Sequence, residues 1–472
     1  MHREVHPRPS LRSAQMRRSA GAPSFVAERR SVKSSARRDP GGFYRYPVDG
    51  AVVRIFMTPP LFEEMEESLG GQVRNALRFP GVLDVVLTPD AHQGYGVPVG
   101  CVMATAGTLA MGPVGYDIGC GVAALRSEVP VDRAASDTVK AFSREVMRRV
   151  GLGVGSKGRS VSRDKFQEIV RGGAEALGVR RGTAERDRIP VDDDWDVPKD
   201  SRAWRGQAQL GSLGGGNHFI ELQHDGERLW VMFHTGSRGF GHGLASYYFD
   251  LAREELGLRR GEMDLGYFAR SSRHWKHYRN AVAAGGNYAI VNRLMIGQAV
   301  GSAFAETFGG PAELVYEISH NLVQEERHPD LFREPVWVHR KGATRALPGG
   351  HPMLAGTRWE GTGHPVLIPG SMGDSSYVLR PLPGAARALY SVNHGCGRRK
   401  SRSAARREIT QGEADRRMRE LGVMVNAGGH VPVDESPDCY KPAEEVIRAV
   451  TEAGLAEVQV RLRPLASIKG ND

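Results

Sequence analysis

Two periodicities of apolar residues alternate along this chain from about residue 43 onward. Short alternating or continuous apolar runs predict β-strands, with examples at Ala51–Met57, Val82–Leu87, Glu313–Ile318 and Glu457–Leu462. Apolar residues at helical spacing predict helices, with examples at Pro60–Phe79, Asp137–Val150, Gly243–Leu256, Asn280–Phe308 and Ser403–Leu421. The charged, turn-rich stretch Arg180–Arg205 is predicted to cross the surface. No repeat or linker interrupts the alternation, which therefore predicts a single large α+β domain over residues 43–472.

The first 42 residues differ in composition from the rest of the chain. They are rich in Arg, Ser and Pro and poor in apolar residues, which predicts a disordered basic extension. A transit peptide, a start site placed too far upstream and a basic arm are all open for this segment. Residues 1–40 carry a formal charge of +7 out of the protein's +10. The predicted domain is therefore nearly balanced in charge, and only local basic clusters can support a nucleic-acid function.

Composition narrows the classes of protein to which this chain can belong. The hydrophobic share of 40% is enough for a proper core, and the 59 glycines indicate many turns. No apolar run approaches the roughly 18–20 residues that a membrane span needs. The four cysteines form no C-x-x-C pair, which favours reduced thiols and a cytoplasmic location. Neither a P-loop nor a strand-linked G-x-G-x-x-G is present, which argues against conventional NTPase and Rossmann functions.

A carboxylate, a thiol and three histidines lie in loops beside predicted strands, most of them glycine-rich. Asp117 and Cys120 are three residues apart in V-G-Y-D-I-G-C-G-V. The histidines His218, His234 and His320 follow further along the chain. Oxygen and nitrogen ligands suit Mn²⁺ or Fe²⁺, a thiolate suits Zn²⁺, and five ligands favour a paired metal site. The alternative is that these side chains are structural, with buried histidines and a buried cysteine beside a turn aspartate.

Three glycine-rich loops expose backbone N–H groups that can bind phosphate. They are G-G-G-N-H (Gly214–His218), P-G-S-M-G (Pro369–Gly373) and H-G-C-G-R (His394–Arg398). His394 is flanked by glycine and followed by a basic run, so its imidazole could attack a phosphorus atom and form a phosphoramidate. Ordinary turns are the alternative for the loops, and a solvated helix face is the alternative for the basic run.

Together these motifs resemble those of the RtcB family of RNA ligases. The resemblance runs from about residue 44 to Gly470, with the motifs in the family's order. The motifs are P-D-A-H-Q-G-Y-G-V-P-V-G, V-G-Y-D-I-G-C-G-V, G-G-G-N-H-F-I-E, H-T-G-S-R-G, S-H-N, H-R-K-G-A-T-R-A, P-G-S-M-G, N-H-G-C-G-R and the terminal I-K-G. The resemblance implies mixed β-sheets around a central metal and nucleotide cleft, with helices outside. One departure is Cys396, where the family usually has alanine.

The resemblance also implies roles for individual residues. Two Mn²⁺ ions would be bound, with Cys120 shared between them, by Asp117, Cys120, His218, His234 and His320. His394 would become guanylylated, and Asp90 and Arg398 would act on the RNA ends. GTP would contact Asn217, His218, Phe219, Glu221, His320, Asn321, Pro369, Gly370, Ser371, Met372, Ser376, His394, Gly395, Cys396, Gly397, Tyr440 and Lys469.

The activity implied by the resemblance is the joining of broken RNA. A 2′,3′-cyclic phosphate or 3′-phosphate end would be ligated to a 5′-hydroxyl end with GTP, in tRNA splicing or RNA repair. The alternatives are a metal-dependent RNA cyclic phosphodiesterase that does not ligate and an RNA-binding protein without catalysis. Neither needs His394 or Lys469, so the ligase is preferred. The RNA substrate and the need for an accessory activator protein are left open, and a monomer is expected.

Overall fold

The first of two large sheets in this protein has seven strands. The structure is a computed structural model that describes residues 31–178 and 188–470. In spatial order the strands are β1 (Arg37–Arg38), β2 (Tyr44–Val48), β3 (Ala51–Ile55), β4 (Val82–His92), β5 (Val99–Thr105), β15 (Val336–Lys341) and β14 (Asn321–Glu326). The pair β3 and β4 is parallel, and the other neighbours are antiparallel.

The second large sheet has eight strands. In spatial order they are β13 (Ala312–Ser319), β7 (Gly121–Pro130), β11 (Arg228–Thr235), β10 (Phe219–His224), β21 (Ala456–Ile468), β18 (Ser376–Pro381) and β17 (Val366–Ile368), with β20 (Met424–Val425) paired to β21. Smaller pairs join β6 (Leu109–Ala110) to β12 (Tyr267–Phe268), β8 (Gly151–Leu152) to β9 (Ser212–Gly214), and β16 (Ala343–Arg345) to β19 (Ser391–Asn393). The two large sheets together confirm the predicted α+β class.

The helices pack around these sheets. The described residues form α1 (Val32–Ser35), α2 (Pro59–Glu63), α3 (Leu69–Leu77), α4 (Ser136–Arg149), α5 (Arg163–Gly172), α6 (Arg238–Leu256), α7 (Trp275–Phe308), α8 (Arg402–Glu408), α9 (Gln411–Glu420) and α10 (Ala443–Glu452). The longest, α7, is buried over most of its first twenty residues and packs on α4, α5 and α6. None of the described helices is long and apolar enough to cross a bilayer.

The connection between the two large sheets determines where the functional side chains meet. β13 ends the eight-stranded sheet at Ser319, and β14 begins in the seven-stranded sheet at Asn321. His320 is therefore the residue at which the chain crosses between the sheets. Its backbone N–H donates to the carbonyl of Cys120 at 2.7 Å. This hydrogen bond holds the crossing point against the loop that precedes β7.

Two predicted helices are each divided in the structure. The stretch Pro60–Phe79 forms two helices, α2 and α3. Met65 lies in the break between them and is buried, so the pattern of buried apolar residues continues across the break. The stretch Ser403–Leu421 forms α8 and α9. Thr410 caps α9 in a capping box with Glu413, and this local signal interrupts the basic run.

Two predictions about the periphery differ from the structure. Residues 31–42 belong to the predicted disordered extension, yet Val32 is buried in α1 and β1 pairs with β2. The rest of that extension, residues 1–30, lies outside the described residues. In the predicted surface crossing, Trp195 and Val197 are buried in the hydrophobic cluster around α7, whereas residues 179–187 lie outside the described part. Composition alone does not show such tertiary partners.

Candidate metal centre and nucleotide cavity

The predicted metal ligands come together at the ends of four strands, with all of them in loops except His234, which lies within a strand. Asp117 and Cys120 precede β7, and a turn links the N–H of Cys120 to the carbonyl of Asp117 at 3.1 Å. His218 immediately precedes β10, and His234 lies in β11, which is the antiparallel neighbour of β10. His320 joins them at the crossing between the sheets. The structure thus unites five residues spread over two hundred positions of the chain.

Close contacts connect all five side chains. The sulfur of Cys120 lies 3.4 Å from Nε2 of His218 and 3.1 Å from Nε2 of His234. Nε2 of His218 lies 3.1 Å from a carboxylate oxygen of Asp117. Nε2 of His234 lies 3.1 Å from Nε2 of His320. Cys120 is therefore at the centre, with carboxylate on one side and imidazole on the other.

In two of the histidines, the ring nitrogen that does not face the cluster is hydrogen-bonded to a backbone carbonyl. Nδ1 of His218 lies 2.9 Å from the carbonyl of Leu213, and Nδ1 of His234 lies 3.2 Å from the carbonyl of Asn217. A carbonyl oxygen can only accept a hydrogen bond, so Nδ1 carries a proton, and whenever the ring is neutral the lone pair of Nε2 faces the cluster. Metal-binding histidines commonly have this second contact. The donor set therefore fits divalent cations.

Burial determines the protonation of these ligands. Burial lowers the pKa of His234 and His320 well below the usual value, so both rings are neutral and able to donate a lone pair. Burial raises the pKa of Asp117, but the neighbouring His218 outweighs it and the pKa is lowered. Burial and Asp117 raise the pKa of the Cys120 thiol. A bound cation would favour the thiolate directly.

The ligand loop needs glycine at two points where the backbone packs closely. Gly119 has a φ of +78°, and a Cβ there would lie 2.8 Å from the Ala289 side chain on α7. A Cβ on Gly121 would lie 2.2 Å from the carbonyl of Ile318 in β13. The loop is therefore pressed between α7 and the strand that leads to His320.

A buried arginine on α7 supports the same loop. Arg293 donates to the carboxylate of Glu317 at 2.6 Å and to the Gly119 carbonyl at 2.7 Å. It also donates to the carbonyl of Thr235, next to His234, at 3.2 Å. Arg293 and Glu317 are both fully buried. One guanidinium thus connects the three chain segments that carry Cys120, His234 and His320.

Substituting Arg293 with methionine is expected to destabilise the fold by about 3–5 kcal/mol, because the charge partner of the buried Glu317 carboxylate is removed. Urea unfolding of the metal-free protein measures this effect. Arg380→Met is the matched control, since Arg380 pairs with Glu457 at 2.5 Å on the surface and should cost less than about 1 kcal/mol. Equal costs for the two variants would contradict a supporting role for Arg293.

His394 lies beside the metal ligands and over a buried carboxylate. The short strand β19 ends at Asn393 and brings the His394 ring to 4.9 Å from the His320 ring, centre to centre. Nδ1 of His394 lies 2.6 Å from a carboxylate oxygen of Asp90. The same oxygen accepts from the backbone N–H groups of His394 and Gly395, at 3.0 and 3.2 Å. Nε2 is therefore the ring nitrogen whose lone pair is available for chemistry.

Asp90 lies beneath His394. Its side chain is completely buried, and its predicted role at an RNA end stays a prediction. Burial raises the pKa of Asp90, but His394 and the Thr88 hydroxyl outweigh it and the pKa is lowered. Asp90 is thus an ionised partner that orients the imidazole.

A cavity of about 430 Å³ contains most of the predicted site. Its lining includes Asp117, Cys120, Asn217, Phe219, Glu221, His234, His320, Asn321, Pro369, Gly370, Ser371, Met372, His394, Gly395, Cys396, Gly397, Arg398, Tyr440 and Lys469. Three predicted residues do not line it. Asp90 lies under His394, and His218 lies within the ligand cluster. Ser376 lies behind the Pro369–Gly373 loop, where its hydroxyl accepts from the Gly370 N–H at 3.0 Å.

One end of the cavity has a buried carboxylate suited to a nucleobase. Glu221 is 1% exposed and accepts from the side-chain amide of Gln223 at 2.8 Å. Burial raises the pKa of Glu221 to about 7, although Gln223 and Lys469 oppose the shift. The Glu221 end of the cavity can therefore accept N–H donors from a ligand.

Comparison with known proteins agrees with this geometry. The sequence profile of the family described as tRNA-splicing ligase RtcB matches residues 72–470. The chain belongs to the RtcB family. The tRNA-splicing ligase RtcB of Nanoarchaeum equitans is 34% identical over 89% of this chain and 95% of its own length. The corresponding protein of Thermococcus kodakarensis is 35% identical over 88% and 94%, and the RNA-splicing ligase RtcB of Mycobacterium tuberculosis is 36% identical over 84% and 100%.

A second buried carboxylate of this RtcB-family chain is absent from the sequence prediction. Glu435 is 2% exposed and accepts from the hydroxyl of Tyr440 at 2.6 Å. Arg398 donates to it at 3.2 Å and Lys469 at 3.0 Å. Burial raises the pKa of Glu435, but Lys469, Arg402, Tyr440 and Arg398 lower it to about 2. Its only sequence signal was an acidic pair before Ser436, which is typical of any turn.

Proposed function

We propose that this protein is a GTP- and Mn²⁺-dependent RNA ligase. It would join a 2′,3′-cyclic phosphate or 3′-phosphate end to a 5′-hydroxyl end through GMP bound covalently to His394. The observation that supports this most strongly is His394 itself, which is held by Asp90 within one cavity that also contains the metal ligands. Membership of a family of tRNA-splicing ligases supports RNA joining as the reaction. Cleaved tRNA is the substrate class that this membership favours.

His394 has the properties of a nucleophile toward phosphorus. Asp90 fixes the ring through Nδ1 and favours the tautomer with a lone pair on Nε2. The same carboxylate would stabilise the positive charge that develops on the ring when a phosphoramidate forms. The N–H groups of His394 and Gly395 are already occupied by Asp90, so the loop keeps its shape when the phosphate arrives.

The five ligands would hold two Mn²⁺ ions, with Cys120 between them. Bound there, the ions would neutralise the charge that develops on the phosphate oxygens. The protein's own part is to hold the His394 ring beside the ligand cluster, with its centre 4.9 Å from that of the His320 ring. The four cysteines are free thiols, in agreement with a reducing, cytoplasmic environment.

A cyclic phosphodiesterase would need the metal ligands but neither a nucleophilic histidine nor a guanine pocket. His394 and the buried Glu221 carboxylate, which can accept the two neighbouring N–H donors of guanine, both line the cavity, and this favours the ligase. Incubation with α-labelled GTP and Mn²⁺ tests the proposal directly. We expect an acid-labile label on the protein and ligation of a cyclic-phosphate RNA to a 5′-hydroxyl RNA. Opening of the cyclic phosphate with no label and no ligation would establish the phosphodiesterase instead.

The Glu221 carboxyl predicts a pH dependence of GTP use. A carboxyl with a pKa of about 7 is protonated below that pH and can then no longer accept both guanine N–H groups. The kcat/KM for GTP in guanylylation should therefore fall by up to about tenfold per pH unit below pH 7. The profile from pH 5.5 to 8.5 is measured for wild type and for Glu221→Gln. Glu221→Gln should lose this component, and identical profiles would contradict the assignment.

A further inference from the structure

An exposed aromatic side chain stands on the wall of the same cavity. Tyr95 is 74% exposed, and it is the one aromatic among the exposed large apolar residues of the described chain. It lines the cavity together with His394. No other ring of the described residues packs against it. A tyrosine ring this exposed leaves a large apolar surface in water, and packing against a partner would bury that surface.

The loop beneath Tyr95 is firmly held although the ring is exposed. The side chain of Gln72 on α3 donates to the Gly94 carbonyl at 2.5 Å and accepts from the Gly94 N–H at 3.1 Å. Asn75 donates to the Gly96 carbonyl at 2.8 Å, and Lys341 donates to the carbonyl of Tyr95 at 2.7 Å. The ring is therefore presented from a fixed backbone, which reduces the entropy lost when a partner binds.

The surroundings of Tyr95 suit a polyanion that carries flat rings. Lys341 and Arg398 line the same cavity and bring positive charge to it, with Lys341 also donating to the carbonyls of Tyr95 and Val97 and Arg398 to Glu435. Tyr116 also lines it, but its ring is already stacked on Phe249 at 4.7 Å and on His242 at 5.5 Å, so Tyr95 offers the more exposed ring. Single-stranded RNA ends are recognised by stacking of bases on such rings beside cationic groups.

We propose that Tyr95 is a stacking platform for an unpaired nucleobase next to the reacting RNA end. This proposal rests on the proposed function, since it assumes an RNA substrate at His394. Stacking is tolerant of base identity, because every base has a flat face. The site would thus hold broken RNA of varied sequence and keep the reacting end in the cavity.

Fluorescence of 2-aminopurine tests the stacking. The probe base is placed next to the 3′-phosphate in one RNA and next to the 5′-hydroxyl in another, and each RNA is titrated with wild type, Tyr95→Ala and Tyr95→Phe. We expect quenching of at least one of the two RNAs by wild type and Tyr95→Phe, with RNA binding about tenfold or more weaker for Tyr95→Ala. The RNA that is quenched identifies the end. Equal quenching and affinity for Tyr95→Ala would overturn the proposal.

Ligation kinetics separate this proposal from the proposed function. Tyr95→Ala should raise the KM for RNA about tenfold or more, and Tyr95→Phe should restore it. Leu83→Ala is the control, because Leu83 is exposed but does not line the cavity. If wild type takes no label from GTP, the proposed function fails. If wild type is labelled and Tyr95→Ala keeps the wild-type KM for RNA, only the stacking platform fails.

Discussion

With alanine in place of His394, the protein is expected to take no covalent label from α-labelled GTP and to ligate no RNA. The reason is that Nε2 of His394 is the proposed nucleophile. Asp90 contacts the other nitrogen of the ring, and the ring lies beside the candidate metal ligand His320. Removing the group that forms the covalent bond should reduce ligation by at least about four orders of magnitude. Denaturing gels measure the label, and joining of two RNA oligonucleotides measures ligation.

A histidine outside the cavity provides the matched control. His430 is on the surface, where its ring pairs with Asp415 at 3.0 Å, and His430→Ala should be labelled like wild type. The His394→Ala protein should still bind Mn²⁺, because none of the five metal ligands is altered. A full label on His394→Ala would mean that another side chain is guanylylated, and the proposed mechanism would be wrong.

The second large effect is expected from Cys120→Ala. Its sulfur is within 3.4 Å of two histidines, and it is the ligand proposed to be shared by both ions. Its loss should weaken Mn²⁺ binding by more than about a hundredfold, since loss of an outer partner alone costs ten- to a hundredfold. Ligation should become undetectable at micromolar Mn²⁺. Titration calorimetry and the electron paramagnetic resonance of free Mn²⁺ measure binding independently of activity.

Cys439 is the appropriate control for that substitution. It is a buried thiol that does not line the cavity, so Cys439→Ala removes the same atoms without touching a ligand. Its Mn²⁺ affinity should equal that of wild type. Unchanged Mn²⁺ affinity in Cys120→Ala would show that the thiol is structural, the alternative that the sequence motif itself left open.

Local sequence patterns predicted most strands and helices of this fold. The strands β4 and β13 and the helix α4 are predicted from the spacing of apolar residues within each segment. Their predicted and observed first residues agree closely. The broken helices α8 and α9 show the limit of that reasoning. The spacing of apolar and basic residues continues through Thr410 and therefore predicts one helix. In the structure the Thr410 side chain contacts the residue three positions ahead and so stabilises the start of a second helix.

The roles of individual side chains depended more on tertiary structure. Asp90 and His394 are some three hundred positions apart, and only the packing of β4 against β19 reveals that the carboxylate is buried under the imidazole. Glu435 was missed for the same reason. Its cationic partners Arg398, Arg402 and Lys469 are all more than thirty positions away, and an acidic residue in a turn gives no sign of them.

The sequence by itself determined which residues are candidates for the chemistry, because candidate metal ligands, an imidazole beside glycine and glycine-rich turns are properties of residue types and short spacings. Only the tertiary structure decided which groups act directly and which orient others. Burial and distance control the pKa of a group, its tautomer and its access to a ligand. Both burial and distance are set only when strands that are distant in sequence meet. The structure therefore places Cys120 at the centre of the candidate ligand cluster, Asp90 beside His394, and Tyr95 as an exposed ring on the cavity wall.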